Sequence, residues 1–289
     1  MRRNKGLMIS AIALAGAFAL SGCTDSGAST PSAAPVEEVT FDEGTTMAAL
    51  NEAGEITIGT KFDQPLFGLK GPDGDPVGFD VEIGKLIASK LGIEASGITW
   101  TETVSANREP FIQNGDVDLV VATYTINDAR KEVVSFAGPY YEAGQDLLVL
   151  AGNEADIAGP EDLADKKVCT VSGSTSEKNI AAYTTNVIAT DTYSNCLGPL
   201  RSGEVDAVTT DNVILAGLAD QNAGEFEVVG NPFTAEPYGI GLAKDDTEFR
   251  NFINDVLEEA YEDGTWAEAW EATAGSVLET PEPPAVDRY

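Results

Sequence analysis

Apolar positions along the chain fall into two recurring patterns, short continuous runs and longer stretches with helical spacing. Glu55 to Thr60 reads as a short strand, and Asp80 to Leu91 as a helix with Val81, Ile83, Leu86, Ile87 and Leu91 on one face, stopped by Gly92. Ile98 to Glu102 is a further strand and Arg108 to Asn114 a helix that ends at Gly115. Leu119 to Ala122 is continuously apolar, as a strand buried on both faces of a parallel sheet must be. The same order then restarts. Val168 to Val171, Val187 to Thr190 and Ala207 to Thr210 read as strands, with helices predicted over Ser174 to Tyr183 and Tyr193 to Arg201 and from Asn212 onward. Phe226 to Val229 and Tyr238 to Ala243 are later strands; Thr247 to Tyr261 and Trp266 to Thr273 are closing helices. Two successive α/β units of about 90 residues each predict two lobes rather than one large sheet.

The N-terminus departs from this grammar. Arg2, Arg3 and Lys5 precede an apolar run from Leu7 to Leu20, which falls short of the roughly 18 to 20 apolar residues a membrane span requires. It reads as a leader over residues 1–22. The run closes on Leu20-Ser21-Gly22-Cys23, which resembles a bacterial lipobox and makes Cys23 the expected lipidation site, at the extracytoplasmic face of the cell membrane; an ordinary leader with a chance cysteine is the alternative. Residues 23–45, rich in Ser, Ala, Pro and Gly up to Glu38, read as a flexible tether, and the proline-bearing residues 279–289 as a disordered tail. Between them, lobe 1 is expected over 46–142 plus 238–278 and lobe 2 over 143–237.

Composition narrows the chemistry. The 289 residues contain 48 Asp and Glu against 17 Lys and Arg, no His and three Cys, for a formal net charge of -31. Without histidine there is no Ser-His-Asp triad, no Cys-His dyad and no imidazole shuttle. So acidic a surface repels nucleic acid, so none is expected as a partner. With Cys23 assigned to lipid, Cys169 and Cys196 form an even pair in an exported chain, where a disulfide is expected and two buried free thiols are the alternative. The bridge would close a loop of about 28 residues, worth on the order of 3 kcal/mol.

The helix entry Gly78-Phe79-Asp80-Val81-Glu82-Ile83, followed by Ile87-Ala88 and Leu91, resembles the signature of bacterial extracellular solute-binding proteins of the polar amino-acid family, and the likeness runs from about Ile56 to Gly275. The helix entry itself reads as scaffold: Gly78 turns the chain, Asp80 favours the N-terminal end and the apolar stripe packs on the sheet. The resemblance implies an α/β, two-lobed periplasmic-binding-protein fold, the Venus flytrap. Each lobe is then a mostly parallel sheet flanked by helices, and two crossovers near Tyr141 to Gln145 and Glu236 to Gly239 form the hinge. It implies a monomer that captures a free amino acid and delivers it to the permease subunits of an ABC importer, with no cofactor and no metal.

Candidate ligand groups lie just beyond strand ends, where doubly wound sheets place them. Thr123, Thr125 and Arg130 follow the buried strand ending at Ala122, and the resemblance makes them holders of an α-carboxylate; a guanidinium offers a planar fork that matches it. Ser174 and Thr175, within Ser172-Gly173-Ser174-Thr175-Ser176, open a helix whose N-terminal dipole suits an anion, with Ser174 and Glu177 also reading as a capping box. Asp211 is the implied partner of the ligand ammonium, or else a cap for the next helix. Lys61 and the Ser105-Ala106-Asn107-Arg108 segment add basic groups that resemble those of relatives binding glutamate or aspartate, and Ser105 joins Lys61 and Arg108 in the expected ligand set. Solvated surface cations are the alternative. Binding rather than catalysis is expected, since no nucleophile sits next to a base. A binder of glutamine or another polar amino acid and a dehydratase-like enzyme with Glu177 as general acid are the rivals.

Overall fold

The computed structural model describes residues 39–72, 74–152 and 157–289, so the leader and Cys23 lie outside the described residues. The chain opens with helix α1 (Thr46–Ala53), strand β1 (Ile56–Thr60), a small hairpin of β2 (Asp63–Gln64) and β3 (Gly68–Leu69), and helix α2 (Phe79–Lys90). It continues through β4 (Ile98–Glu102), α3 (Arg108–Asn114), β5 (Leu119–Val120), the single-turn α4 (Asp128–Lys131) and the long β6 (Ser135–Ala143). Past Gly144 come β7 (Gln145–Leu150), β8 (Val168–Val171), α5 (Thr175–Ile180), β9 (Val187–Thr190) and α6 (Ser194–Ser202). β10 (Ala207–Asp211), α7 (Asn212–Gln221), β11 (Phe226–Val228), β12 (Glu236–Leu242), α8 (Thr247–Asp263) and α9 (Thr265–Ala272) complete it.

These strands build two five-stranded sheets, in the orders β4-β1-β5-β12-β6 and β11-β7-β10-β8-β9. The first holds β1, β4, β5 and β6 from before Gly144 together with β12, the β2-β3 hairpin standing apart; the second holds the unbroken stretch from β7 to β11. Each sheet is parallel at one side, β1 with β4 and β5, β8 with β9 and β10. Each is antiparallel at the other, where β12 meets β6 and β7 meets β10 and β11. The continuous apolar reading of β5 is sound for burial, but its strand is shorter than expected. Val121 and Ala122 are buried without extending the ladder, because the chain turns there toward the left-handed Thr123, φ 44°.

Local chemistry accounts for the elements around the cleft. α2 buries Phe79, Val81, Ile83 and Ile87 against the first sheet. Its entry needs Gly78, which has φ 132° and whose missing side chain would meet the Phe67 carbonyl oxygen at 2.3 Å. An aromatic pillar stands beside the hinge: Phe67 meets Phe79, Tyr141, Tyr238 and Trp270 edge-on, and Tyr141 stacks on Trp270 at 4.9 Å. In the second sheet Cys169 of β8 and Cys196 of α6 form the disulfide, Cα atoms 5.7 Å apart.

Two segments depart from their sequence reading. Of the stretch expected as tether, residues 39–45 are described; Phe41 packs edge-on against Phe252, and Thr45 caps α1. The tail of residues 279–289 has no regular structure, as its prolines dictate, yet it is a strap on the first lobe rather than a disordered end. Asp287 donates its N–H to the Gly138 carbonyl at 2.9 Å, the Tyr289 hydroxyl accepts from the Phe136 N–H, and Arg288 pairs with Asp255 and Glu258. Polar residues at its end supply the contacts that a strand ladder would have made.

Candidate ligand-binding cleft

Between the sheets lies a cavity with about 220 Å³ of empty space, its mouth included. Ser105, Arg108, Thr123 and Thr125 line it from the first lobe; Ser174, Thr175, Ser176, Tyr193, Asp211 and Ile214 line it from the second. Seven of the nine residues expected around a ligand therefore share one cavity. Lys61 and Arg130 do not reach its wall.

The first-lobe wall is a buried charge network. Arg108, 3% exposed, donates Nε–H to the Ser105 carbonyl and Nη1–H to the carbonyls of Ala122 and Thr123. That count leaves both N–H groups of Nη2 without a protein acceptor. The guanidinium also lies 4.3 Å from the centre of the Tyr124 ring. Burial, then the neighbouring Arg130, pushes its pKa down to about 10, so it stays charged at neutral pH. Behind this wall, the buried Lys61 Nζ donates to the Ser105 hydroxyl at 2.9 Å. Burial and Arg108 push the Lys61 ammonium down to about 7. It touches the cavity only through Ser105.

Arg130 differs most from its expected place. It is 4% exposed and contacts the same Tyr124 ring from 4.9 Å. Its Nε pairs with Glu109 at 3.0 Å, its Nη1 donates to the Thr125 carbonyl at 2.7 Å, and its Nη2 crosses the cleft to the Gly173 carbonyl at 3.2 Å. Glu109, on the first turn of α3, and two nearby carbonyls thus capture the fork, leaving one N–H on each terminal nitrogen.

The second-lobe wall is neutral except for one carboxylate. Ser174 Oγ accepts from the Glu177 N–H at 2.9 Å, while Glu177 Oε2 reaches back to the Gly173 N–H at 2.8 Å, a reciprocal helix cap. Asp211 stands at the N-cap position of α7 but makes no side-chain cap bond. Its Oδ2 instead accepts from the Tyr238 hydroxyl at 2.6 Å, and its buried Oδ1 has no partner. Burial, then the charge of Glu236, pushes its pKa up to about 7. Ser176 Oγ and Thr210 Oγ1 are likewise buried without a partner. Unsatisfied groups this concentrated mark a surface made to meet something polar.

The crossovers attach to this wall. Asn179 of α5 donates from Nδ2 to Gln145 Oε1 and Glu236 Oε1, each at 3.1 Å, and Gln145 in turn donates to the Ser176 carbonyl and the Thr209 hydroxyl. Gln145 begins β7 and Glu236 begins β12, so both chain passages between the sheets are tied to the helix that opens the site. The lobes also touch at Gly217, whose Cβ would lie 2.5 Å from the Pro65 carbonyl oxygen, so a larger residue there would hold them apart.

Sequence reasoning passed over Tyr193, Ser176 and Ile214. Ser176 sits inside the Ser-rich helix entry and was accessible to the same argument; Tyr193 and Ile214 belong to helices whose apolar faces read as core. Asp80, read as scaffold, is also more than that, because its Oδ2 accepts the N–H of the cavity residue Thr123 at 2.8 Å.

Comparison with known proteins places this architecture. The family profile of bacterial extracellular solute-binding proteins, family 3, matches residues 56–272. Glutamate-binding protein GluB of Corynebacterium efficiens is 44% identical over 235 residues, 77% of this chain and 80% of that protein. The ABC transporter glutamine-binding protein GlnH of Bacillus subtilis is 41% identical over 78% of this chain and 83% of its own length. Among solved structures, an ancestral arginine-binding protein bound to glutamine superposes with a TM-score of 0.70 at 38% identity, covering 76% of this chain and 97% of that one. With its two α/β lobes, its cleft between them and a profile match across both, the chain belongs to the bacterial extracellular solute-binding proteins of family 3.

Proposed function

We propose that the protein captures an acidic amino acid, glutamate or aspartate, in the cleft, closes on it by hinge motion, and hands it to the permease subunits of an ABC importer. The carrying observation is the opposition of two unused groups across the cavity, the free Nη2 of Arg108 and the unpartnered Oδ1 of Asp211. A zwitterion bridges such a pair: its ammonium supplies donors to Asp211, and a carboxylate accepts from the free Nη2 of Arg108. Three basic groups favour a ligand with a second carboxylate. Arg108 meets one carboxylate directly, and Thr125, Ser174 and Thr175 meet the other with Arg130 behind them. Lys61 adds its charge through Ser105. Relatives named for glutamate binding support this reading.

Glu177 is held in a helix cap, which supports binding over acid catalysis. We further read the protein as a monomer anchored by lipid at Cys23 on the outer face of the cell membrane, a reading that rests on the leader and the Leu20 to Cys23 motif. A neutral ligand is the second reading, favoured by the glutamine-binding relative from Bacillus subtilis. A thermal-shift screen against the twenty amino acids separates the two, since a ligand that binds only the folded state raises its melting temperature. Glutamate or aspartate is expected to give the largest shift, confirmed by calorimetry. Tighter binding of glutamine would overturn the acidic reading.

A further inference from the structure

The carboxylate of Asp80 is fully buried in the first turn of α2, away from solvent and outside the cavity lining. Its two oxygens are both engaged: Oδ1 accepts from the Tyr140 hydroxyl at 2.6 Å and Oδ2 from the Thr123 N–H at 2.8 Å. Thr123 has φ 44°, in the left-handed region, where a β-branched side chain is disfavoured. Such a conformation persists only where its surroundings over-determine it. Here three contacts do so. Asp80 holds the N–H, Arg108 Nη1 holds the carbonyl at 3.2 Å, and Gln64 Oε1 accepts from the hydroxyl at 3.0 Å.

The consequence lies with Arg108. Its Nη1 is fixed by the carbonyls of Ala122 and Thr123, and a planar guanidinium fixed at Nη1 and Nε has its Nη2 fixed too. A Thr123 relaxed to ordinary backbone would swing that carbonyl away. We propose that Asp80 is a positioning residue of the binding site: by holding Thr123 in the left-handed conformation it aims the guanidinium of Arg108 at the ligand carboxylate. This rests on the reading of Arg108 as a ligand contact. Burial pushes the Asp80 carboxyl up to about 7, so its hold on Thr123 rests on the hydrogen bond to Oδ2, with Tyr140 fixing the other oxygen.

The experiment is a double-substitution cycle read by calorimetry. Wild type is first titrated with L-glutamate and L-glutamine; if only glutamine binds, the acidic reading fails and glutamine serves as the probe for the rest. Asp80→Ala is expected to weaken binding about 30-fold, since it leaves the Thr123 N–H without its acceptor. Asp80→Asn is expected to stay within about fivefold, because its carbonyl still serves Thr123 and the Tyr140 hydroxyl turns to accept from the amide. In a Thr123→Gly background, where the left-handed conformation carries no side-chain penalty, Asp80→Ala is expected to cost less than about fivefold. Should Asp80→Ala not fold, Asp80→Ser, which stops short of Thr123 and admits water, is read in the same way. A loss equal in both backgrounds, or wild-type affinity in a destabilised Asp80→Ala protein, overturns the proposal.

Discussion

The two walls of the cleft are built on opposite principles. The first-lobe wall presents Arg108, with Lys61 and Arg130 behind it, each held in place by protein acceptors around a strained backbone turn. The second-lobe wall holds hydroxyls and one carboxylate, and two of its polar atoms are left open: Asp211 Oδ1 and Ser176 Oγ have no partner. The contrast separates two jobs. A wall whose charges are already fixed presents a preorganised receptor, so little ordering remains to be done on binding. A wall with unsatisfied groups gains most from the ligand, and so ligand decides whether it stays closed against the first.

Arg108→Ala tests the preorganised wall most severely. Removing the partner of a buried carboxylate is expected to cost about 3 to 5 kcal/mol of glutamate affinity, measured by calorimetry. Retained binding would transfer the role to Arg130. The second-lobe wall is held covalently instead, since the disulfide joins β8 to the helix that follows Tyr193. Replacing Cys169 and Cys196 together by Ser is expected to lower unfolding free energy by about 3 kcal/mol in denaturant titrations while leaving the first-lobe charges intact.

Asp211→Asn should weaken glutamate by about 2 to 3 kcal/mol, as the ammonium loses its counter-charge. Glutarate, which has both carboxylates and no ammonium, should bind Asp211→Asn at least as tightly as wild type, because it meets the Asp211 carboxylate as a like charge. An equal loss for both ligands would mean that Asp211 acts on closure and not on the ammonium.

Asp211 and Lys61, one from each lobe, should also titrate with opposite signs. In the free protein Asp211 has its pKa raised to about 7, so below that pH its proton must be expelled before the ammonium can bind. Glutamate affinity is therefore expected to fall toward tenfold per unit as pH drops from about 7 to 5. Lys61 has its pKa lowered to about 7, and an anionic ligand favours its charged form, so binding must draw in a proton above that pH. In the Asp211→Asn protein, where no opposing carboxylate titrates, glutarate should thus bind more weakly as pH rises from about 7 to 9, by less than tenfold per unit. Affinity profiles in buffers of matched ionic strength check both; a flat glutamate profile from pH 8 to 5 removes Asp211 from the ammonium.

Much of the fold was legible because its strands are short apolar runs with glycine or polar stops. Ile98–Glu102, Val168–Val171 and Val187–Thr190 fall where the pattern puts them. Strands β6 and β7 were not predicted, since Gly138-Pro139 reads as a turn in the middle of what is β6, and only the crossover near Tyr141 to Gln145 was expected there. The site was legible where a short motif follows a strand, as at Thr123, Thr125 and Asp211. What escaped was depth. No spacing rule says that Lys61 stops at Ser105, that Glu109 captures Arg130, or that Asp80 reaches forty-odd positions along the chain to Thr123, because each depends on how separate elements pack.

The continuity of the second sheet bears on how the molecule is made. All its strands come from the unbroken stretch between β7 and β11, whereas the first sheet needs β12 to pair with β6, Leu242 against Ser135. During synthesis the inner lobe can complete its contacts while the outer lobe still waits for its antiparallel strand. The outer lobe therefore carries the long-range loop closures, and in refolding it should be the slower partner, its cationic wall assembled only after the inner lobe has formed.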